Sequence, residues 1–177
     1  MIGDPEQTPL YALVEIPKGS RNKYELDPVL DRIVLDRTLW TSVVYPADYG
    51  FLMHTLGRDG DPVDALVLVA EPTFPGCVIK VEPVGVFEMH DEKGEDDKVL
   101  CVPFKDPKWS RVHDIGDIRV SLLDEIAHFF DVYKDLESGA GTEIGGWRNR
   151  AYADEIIVEG RRAYAVEAAA AAAADGV

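Results

Sequence analysis

Cysteine is scarce in this chain: two in 177 residues, Cys77 after a Pro-Gly turn and Cys101 inside the apolar run VLCVPF. Neither their number nor their spacing supports a disulfide framework or a zinc site, so both are expected to act as packing residues. Long apolar runs are missing as well. No stretch approaches the roughly 20 uninterrupted apolar residues needed to cross a bilayer, and the opening MIGDPEQTPL has neither the basic region nor the apolar core of a secretion signal. A cytoplasmic location is expected. Positive charge is the third shortage: 18 Lys and Arg stand against 33 Asp and Glu, a net charge of -15. That balance repels nucleic acid and anionic membrane surfaces, so neither is an expected partner. A polyanionic partner would need divalent cations between it and the chain, because clustered carboxylates bind hard ions that then become the largest positive charges in a site. From composition alone, acidity that serves only solubility is an equal reading.

Several chemical motifs are also absent. No Gly-rich loop of the GxxxxGK[ST] or GxGxxG kind occurs, which excludes nucleotide binding by those routes. His54, His90, His113 and His128 form no HExxH or comparable metal pair, and no GxSxG element supplies a nucleophilic serine.

What is present reads as strands first and helices last. With 46% apolar residues the chain can bury a core, and its length fits one domain spanning residues 1–177. The runs LYALVEIP, RIVLD, DALVLV, CVIKVEPVGVFEM and KVLCVPF are separated by Gly, Pro, Asn and Asp at spacings too short for helices, which predicts a mostly antiparallel barrel or sandwich. Beyond residue 116, Leu122, Ile126, Phe129, Phe130 and Tyr133 recur at helical spacing, with Asp117 or Ser121 as a candidate N-cap and Gly139 just past the end. A second helix is predicted from near Trp147 to the tail, weakened at Gly160 by about 1 kcal/mol relative to alanine. The fold class is therefore α+β. The alanine run Ala168 to Ala174 either extends that helix or frays, with residues 168–177 as a possible frayed tail.

The segment Asp59-Gly60-Asp61-Pro62-Val63-Asp64 places three carboxylates within six residues, before the apolar strand Ala65 to Val69. Like charges this close oppose folding unless cations neutralise them. An EF-hand loop starting at Asp59 fails on spacing, because its glycine position holds Asp64 and its closing glutamate position holds Ala70. A second acidic group, His90 to Lys98, follows a long strand and reads alone as a solvated hairpin loop. Strands of a small barrel can bring both groups to one mouth and assemble enough carboxylates for several Mg2+ ions. Closely spaced metals acidify a bridging water and neutralise the oxygens of a phosphoryl group under attack. Lys23, Arg37, Lys98 and the pair Tyr133-Lys134 are candidate donors to phosphate oxygens.

These residues together resemble the family I soluble inorganic pyrophosphatases in their short prokaryotic form. The hallmark Asp-x-Asp-Pro-x-Asp segment is matched by Asp59 to Asp64. Further matching stretches are Glu15-Ile16-Pro17, Asn22-Lys23-Tyr24-Glu25, Leu35-Asp36-Arg37, Tyr45-Pro46-Ala47-Asp48-Tyr49-Gly50, Pro83-Val84-Gly85, Asp91-Glu92 with Asp96-Asp97-Lys98, and His128-Phe129-Phe130 before Tyr133 to Glu137. The resemblance implies a five-stranded OB-like β-barrel flanked by two C-terminal helices, hydrolysis of pyrophosphate to two phosphates, and a homo-hexamer. By the same analogy Asp59, Asp64 and Asp96 hold the tightest metal, Asp64 is shared with a second, and Asp91 and Asp96 hold a third. Glu15 reaches a further metal that arrives with pyrophosphate, and Glu25 supports the site through hydrogen bonds. The ions are Mg2+, with Mn2+ as a substitute. Lys23, Arg37, Tyr49, Lys98, Tyr133 and Lys134 grip the phosphates, Tyr45 lines the site, and Asp61 is the general base. The chain departs from the family after Glu137, where Ala140 and Glu143 stand in place of frequent lysines. Two rivals remain: a non-catalytic OB-type module for single-stranded nucleic acid, disfavoured by the charge, and a calcium-binding structural domain, disfavoured by the failed EF-hand spacing.

Overall fold

In the computed structural model, residues 9–91, 94–137 and 141–174 are described. Strands β1 (Leu10–Ile16), β4 (Asp48–Leu52), β5 (Asp64–Val67), β8 (Lys98–Pro103) and β6 (Val78–Asp91) pair in that order, and β6 pairs back to β1. The ring is closed, so the barrel leaves none of these five as an open edge. All its pairings are antiparallel except β5–β8, which runs parallel with Ala65 opposite Val99. The short β7 (Gly94–Glu95) and the strand β9 (Glu143–Asn149) extend the sheet from β6. A separate hairpin, β2 (Asn22–Asp27) with β3 (Arg32–Thr38), stands beside the barrel. Helix α1 covers Val120–Val132 and α2 covers Arg150–Ala174.

Alternation along the strands feeds two clusters. Leu66, Leu100 and Val102 pack with Phe87 and with Ile126, Phe129 and Phe130 of α1. Their neighbours Ala65, Val67, Val99 and Cys101 pack with Ala153 and Ile157 of α2. Cys101 is fully buried, as expected of a packing residue, and Cys77 is half-buried.

The structure corrects several boundaries. Trp147 does not open the second helix: it lies on β9 opposite Phe87, with ring centroids 4.9 Å apart, and the helix begins at Arg150. Helix α1 is capped by Arg119 with no side-chain bond, because the Asp117 carboxylate instead accepts the backbone N–H groups of His113 and Asp114 at 2.9 and 3.1 Å. Gly139 lies outside the described residues, and α1 already closes at Val132, where the Tyr133 N–H donates to the Phe129 carbonyl. The alanine run continues the helix through Ala174 with its residues exposed.

Candidate active site

The Asp59–Asp64 segment is held in shape mostly by its own backbone. The Gly57 N–H donates to the Asp61 carbonyl at 2.7 Å, the Gly60 N–H to Gly57 at 3.2 Å, and the Asp61 N–H to Asp59 Oδ1 at 3.1 Å. Gly60 takes a φ of 91°, a left-handed conformation that glycine adopts without steric cost. The turn leaves Asp59 and Asp61 exposed and hands the chain to β5, whose first residue, Asp64, is half-buried.

The parallel register then carries Asp64 alongside Lys98, the residue before Val99. Lys98 is buried, and its Nζ donates to Asp64 Oδ2 at 2.8 Å and Asp96 Oδ1 at 2.7 Å. Burial works against the charge of this ammonium, but the two carboxylates more than offset it and hold its pKa above the ordinary value. The Tyr49 hydroxyl also donates to Asp64, and burial together with that anion raises its pKa well above the usual phenol range.

Glu15 enters from a β-bulge. Val14 pairs with Gly50 and Ile16 with Tyr49, so Glu15 is the extra residue and its side chain is re-aimed. The crossing requires Gly50, since a Cβ there would lie 1.9 Å from the Leu13 carbonyl oxygen. Burial pushes the Glu15 carboxyl up to about 7, although it accepts the Leu26 N–H at 2.7 Å.

A second bulge presents the cations. Lys23 pairs with Arg37 and Tyr24 with Leu35, which leaves Asp36 looped out between them and ion-paired to both. Arg37 also makes a two-pronged contact with Glu137, at 3.0 and 2.8 Å. Lys23 further pairs with Glu25.

These side chains share one cavity of about 910 Å³. Its wall includes Glu15, Lys23, Glu25, Arg37, Tyr49, Asp59, Asp61, Asp64, Asp96, Tyr133 and Lys134. Lys98 sits beneath the acidic side. Tyr45 lies behind the wall, its ring 5.6 Å from Tyr49 and 4.7 Å from Phe129. Asp91 ends β6, but its side chain, like residue Ala140, lies outside the described part; Glu143 is exposed on β9. Asp36 and Glu137, which clamp Arg37, and Asp97, which also lines the cavity, stood in the matching stretches without an assigned role. Strand register, which places Asp36 between two cations, is the signal that a one-dimensional reading lacks.

The donor set suits hard divalent ions: acidic residues from separate chain segments, among them Glu15, the Asp59–Asp64 turn and Asp96, line one space. Among the described residues no three acidic, imidazole or thiol groups are already closed into a ligand set. Lys98 instead bridges Asp64 and Asp96, whose spacing accommodates one cation between them.

A family model described as inorganic pyrophosphatase matches residues 12–165. An inorganic pyrophosphatase of Leifsonia xyli subsp. xyli is 54% identical over 148 residues, covering 84% of this chain and 91% of that protein. One of Streptomyces coelicolor is 55% identical over 144 residues, covering 81% and 88%. Among solved structures, inorganic pyrophosphatase from Thermus thermophilus superposes with a TM-score of 0.87 at 43% identity, covering 93% of this chain and 95% of that one. The chain belongs to the inorganic pyrophosphatase family.

Proposed function

We propose that this protein hydrolyses inorganic pyrophosphate to two phosphates with the help of divalent cations, Mg2+ or Mn2+ in its place. One observation carries the reading: a single cavity sets Asp59, Asp61, Asp64, Asp96 and Glu15 against Lys23, Arg37 and Lys134. Pyrophosphate with its ions is the complement of such a wall, since carboxylates take the metals and the cationic side takes the phosphate oxygens.

Asp59, Asp64 and Asp96 would hold one ion, with Asp64 shared by a second, Asp91 joining Asp96 at a third and Glu15 reaching another. When bound, such ions neutralise phosphoryl oxygens and lower the pKa of water. The chain's own groups do the rest. Arg37 is oriented by Asp36 and Glu137, so its planar guanidinium is already aimed before substrate arrives. Lys23, Lys98, Lys134 and the hydroxyls of Tyr49 and Tyr133 complete the grip, with Glu25 holding Lys23 and Tyr45 buttressing Tyr49. Asp61, exposed at the turn, takes the proton of the attacking water as general base.

A homo-hexamer, a cytoplasmic location and one domain over the whole chain belong to the same reading; the first two rest on the family likeness, and the third on α2 sharing a core with the barrel. Among the described residues, no helix is long and apolar enough to cross a membrane. The decisive experiment measures phosphate release from pyrophosphate. Turnover in Mg2+ that disappears in excess EDTA is expected, and full activity in EDTA overturns the reading.

A further inference from the structure

Glycine in the interior of a long helix needs a reason, because it gives up backbone entropy and packing. Gly160 sits midway along α2, is buried, and is not among the glycines with positive φ, so conformational freedom is not that reason. Close approach is. A Cβ at this position would stand 3.1 Å from Val63 Cγ2, 3.2 Å from Thr55 Cβ and 3.3 Å from the Leu56 carbonyl oxygen. All three atoms belong to the loop that carries Asp59 and Asp61 and delivers Asp64.

The same point of the helix bonds to that loop. The Leu56 N–H donates to the Gly160 carbonyl at 3.0 Å. Thr55, itself buried, closes the loop's base by accepting the Val63 N–H at 3.1 Å and donating to the Leu52 carbonyl at 2.6 Å. Two flanking contacts hold the loop to the helix: Arg58 with Glu159 at 3.5 Å, and the His54 ring with Tyr164 at 5.4 Å. Ile156, Gly160 and Ala163 continue this face into the cavity wall.

We propose that Gly160 is a positioning residue: it seats the 55–63 loop against α2 and thereby fixes the spacing in which Asp59 and Asp64 receive a divalent ion. The inference rests on the proposed metal-binding role of those carboxylates. A methyl group at position 160 meets three atoms closer than ordinary contact, and a dense interior passes the displacement on rather than absorbing it. The loop shifts by a few tenths of an ångström at Val63, one residue from Asp64.

The test is calorimetric binding of Mn2+ to the full chain without substrate, with melting temperature and phosphate release alongside. Gly160→Ala should raise the Mn2+ Kd by about tenfold, the low end for losing a group that orients metal ligands. Its metal-free melting temperature should fall little, because alanine improves the helix. Ala165→Gly, on the exposed continuation of the same helix, should lower the melting temperature and leave the Kd within about twofold of the original. Adding Val63→Ala to Gly160→Ala removes the nearest clashing atom and should recover most of the lost affinity, which keeps the test decisive should the single variant fold poorly. A Gly160→Ala Kd within about twofold of the original, or an Ala165→Gly shift as large as that of Gly160→Ala, overturns the proposal. So does a double variant no better than the single one. An unaltered chain that binds Mn2+ yet releases no phosphate overturns the catalytic reading alone; one that binds no Mn2+ overturns both.

Discussion

Lys98 offers the sharpest test of the charge arrangement. Replacing it by Met keeps most of the length and the apolar stem but removes the ammonium that lies 2.8 Å from Asp64 and 2.7 Å from Asp96. Deleting one partner of a buried ion pair costs about 3–5 kcal/mol, since the remaining charge is left without compensation. Here the two carboxylates retain 27% and 25% side-chain exposure, so water recovers part of that loss and the lower end, about 3 kcal/mol, is the working figure. A chain of this size loses about 2–4 °C of Tm per kcal/mol, which gives a drop of roughly 6–12 °C in EDTA. Mg2+ then supplies the missing positive charge, so the Mg2+-induced rise in Tm should be larger for Lys98→Met than for the parent. Thermal unfolding followed by circular dichroism, with and without Mg2+, reads both quantities. A Tm in EDTA within about 2 °C of the parent, or a Mg2+-induced rise no larger than the parent's, refutes the argument.

Glu15 links stability to pH. Burial lifts its pKa from 4.5 to about 7, so the metal-free fold favours the neutral acid; that contribution is complete below the ordinary value and is lost as pH rises from about 4.5 through 7. Glu15→Gln stays neutral, and in EDTA it should gain on the parent across that window, by roughly 3 kcal/mol at most; denaturant titrations at pH 4 and pH 8 that give the same difference contradict this. Arg37→Lys loses the two-pronged grip on Glu137 and on phosphate, so kcat/KM should fall by more than about tenfold, whereas a change within about twofold, or ~0.4 kcal/mol, removes Arg37 from the phosphate site. Asp64→Asn should recover activity only at raised Mg2+, while Asp61→Asn should lose roughly 10²- to 10⁴-fold in kcat with Mg2+ demand unchanged. Mg2+ titrations of rate separate the two, and rescue of Asp61→Asn by Mg2+ would show that Asp61 is a metal ligand instead.

Much of the fold was legible because local pattern and tertiary role agree. The apolar runs of β1, β5, β6 and β8 are short and bounded by turn-forming residues, as strands are, and the stripe Ile126, Phe129, Phe130 has the spacing of a helix. Strand β9 was hidden because Gly145 and Gly146 weaken its pattern and its justification lies in Phe87 on a distant strand. Strand β2 was missed because its charged residues serve the site rather than a core, and β4 because Asp48 and Gly50 interrupt its apolar pattern although the strand is packed in the barrel. The acidic hexapeptide was visible as crowded charge. The position of Lys98 beneath it was not, since nothing local distinguishes a buried lysine from a surface one. Gly160 was read as a defect of its helix, and its contacts come from a loop about a hundred residues earlier in the chain.

The parallel pairing of β5 with β8 bears on how the molecule is made. Asp64 and Lys98, 34 positions apart in the chain, become neighbours only after the segment between them, which contains β6, has folded back, and non-local closure of that kind is the slow part of folding. The ion site needs Asp64 and Asp96 in their final spacing, so we expect it to be complete only once that closure has finished. Mg2+ added to refolding chains should leave the folding rate nearly unchanged and slow unfolding, so that the ion acts as a lock on the finished protein and gives little help in building it.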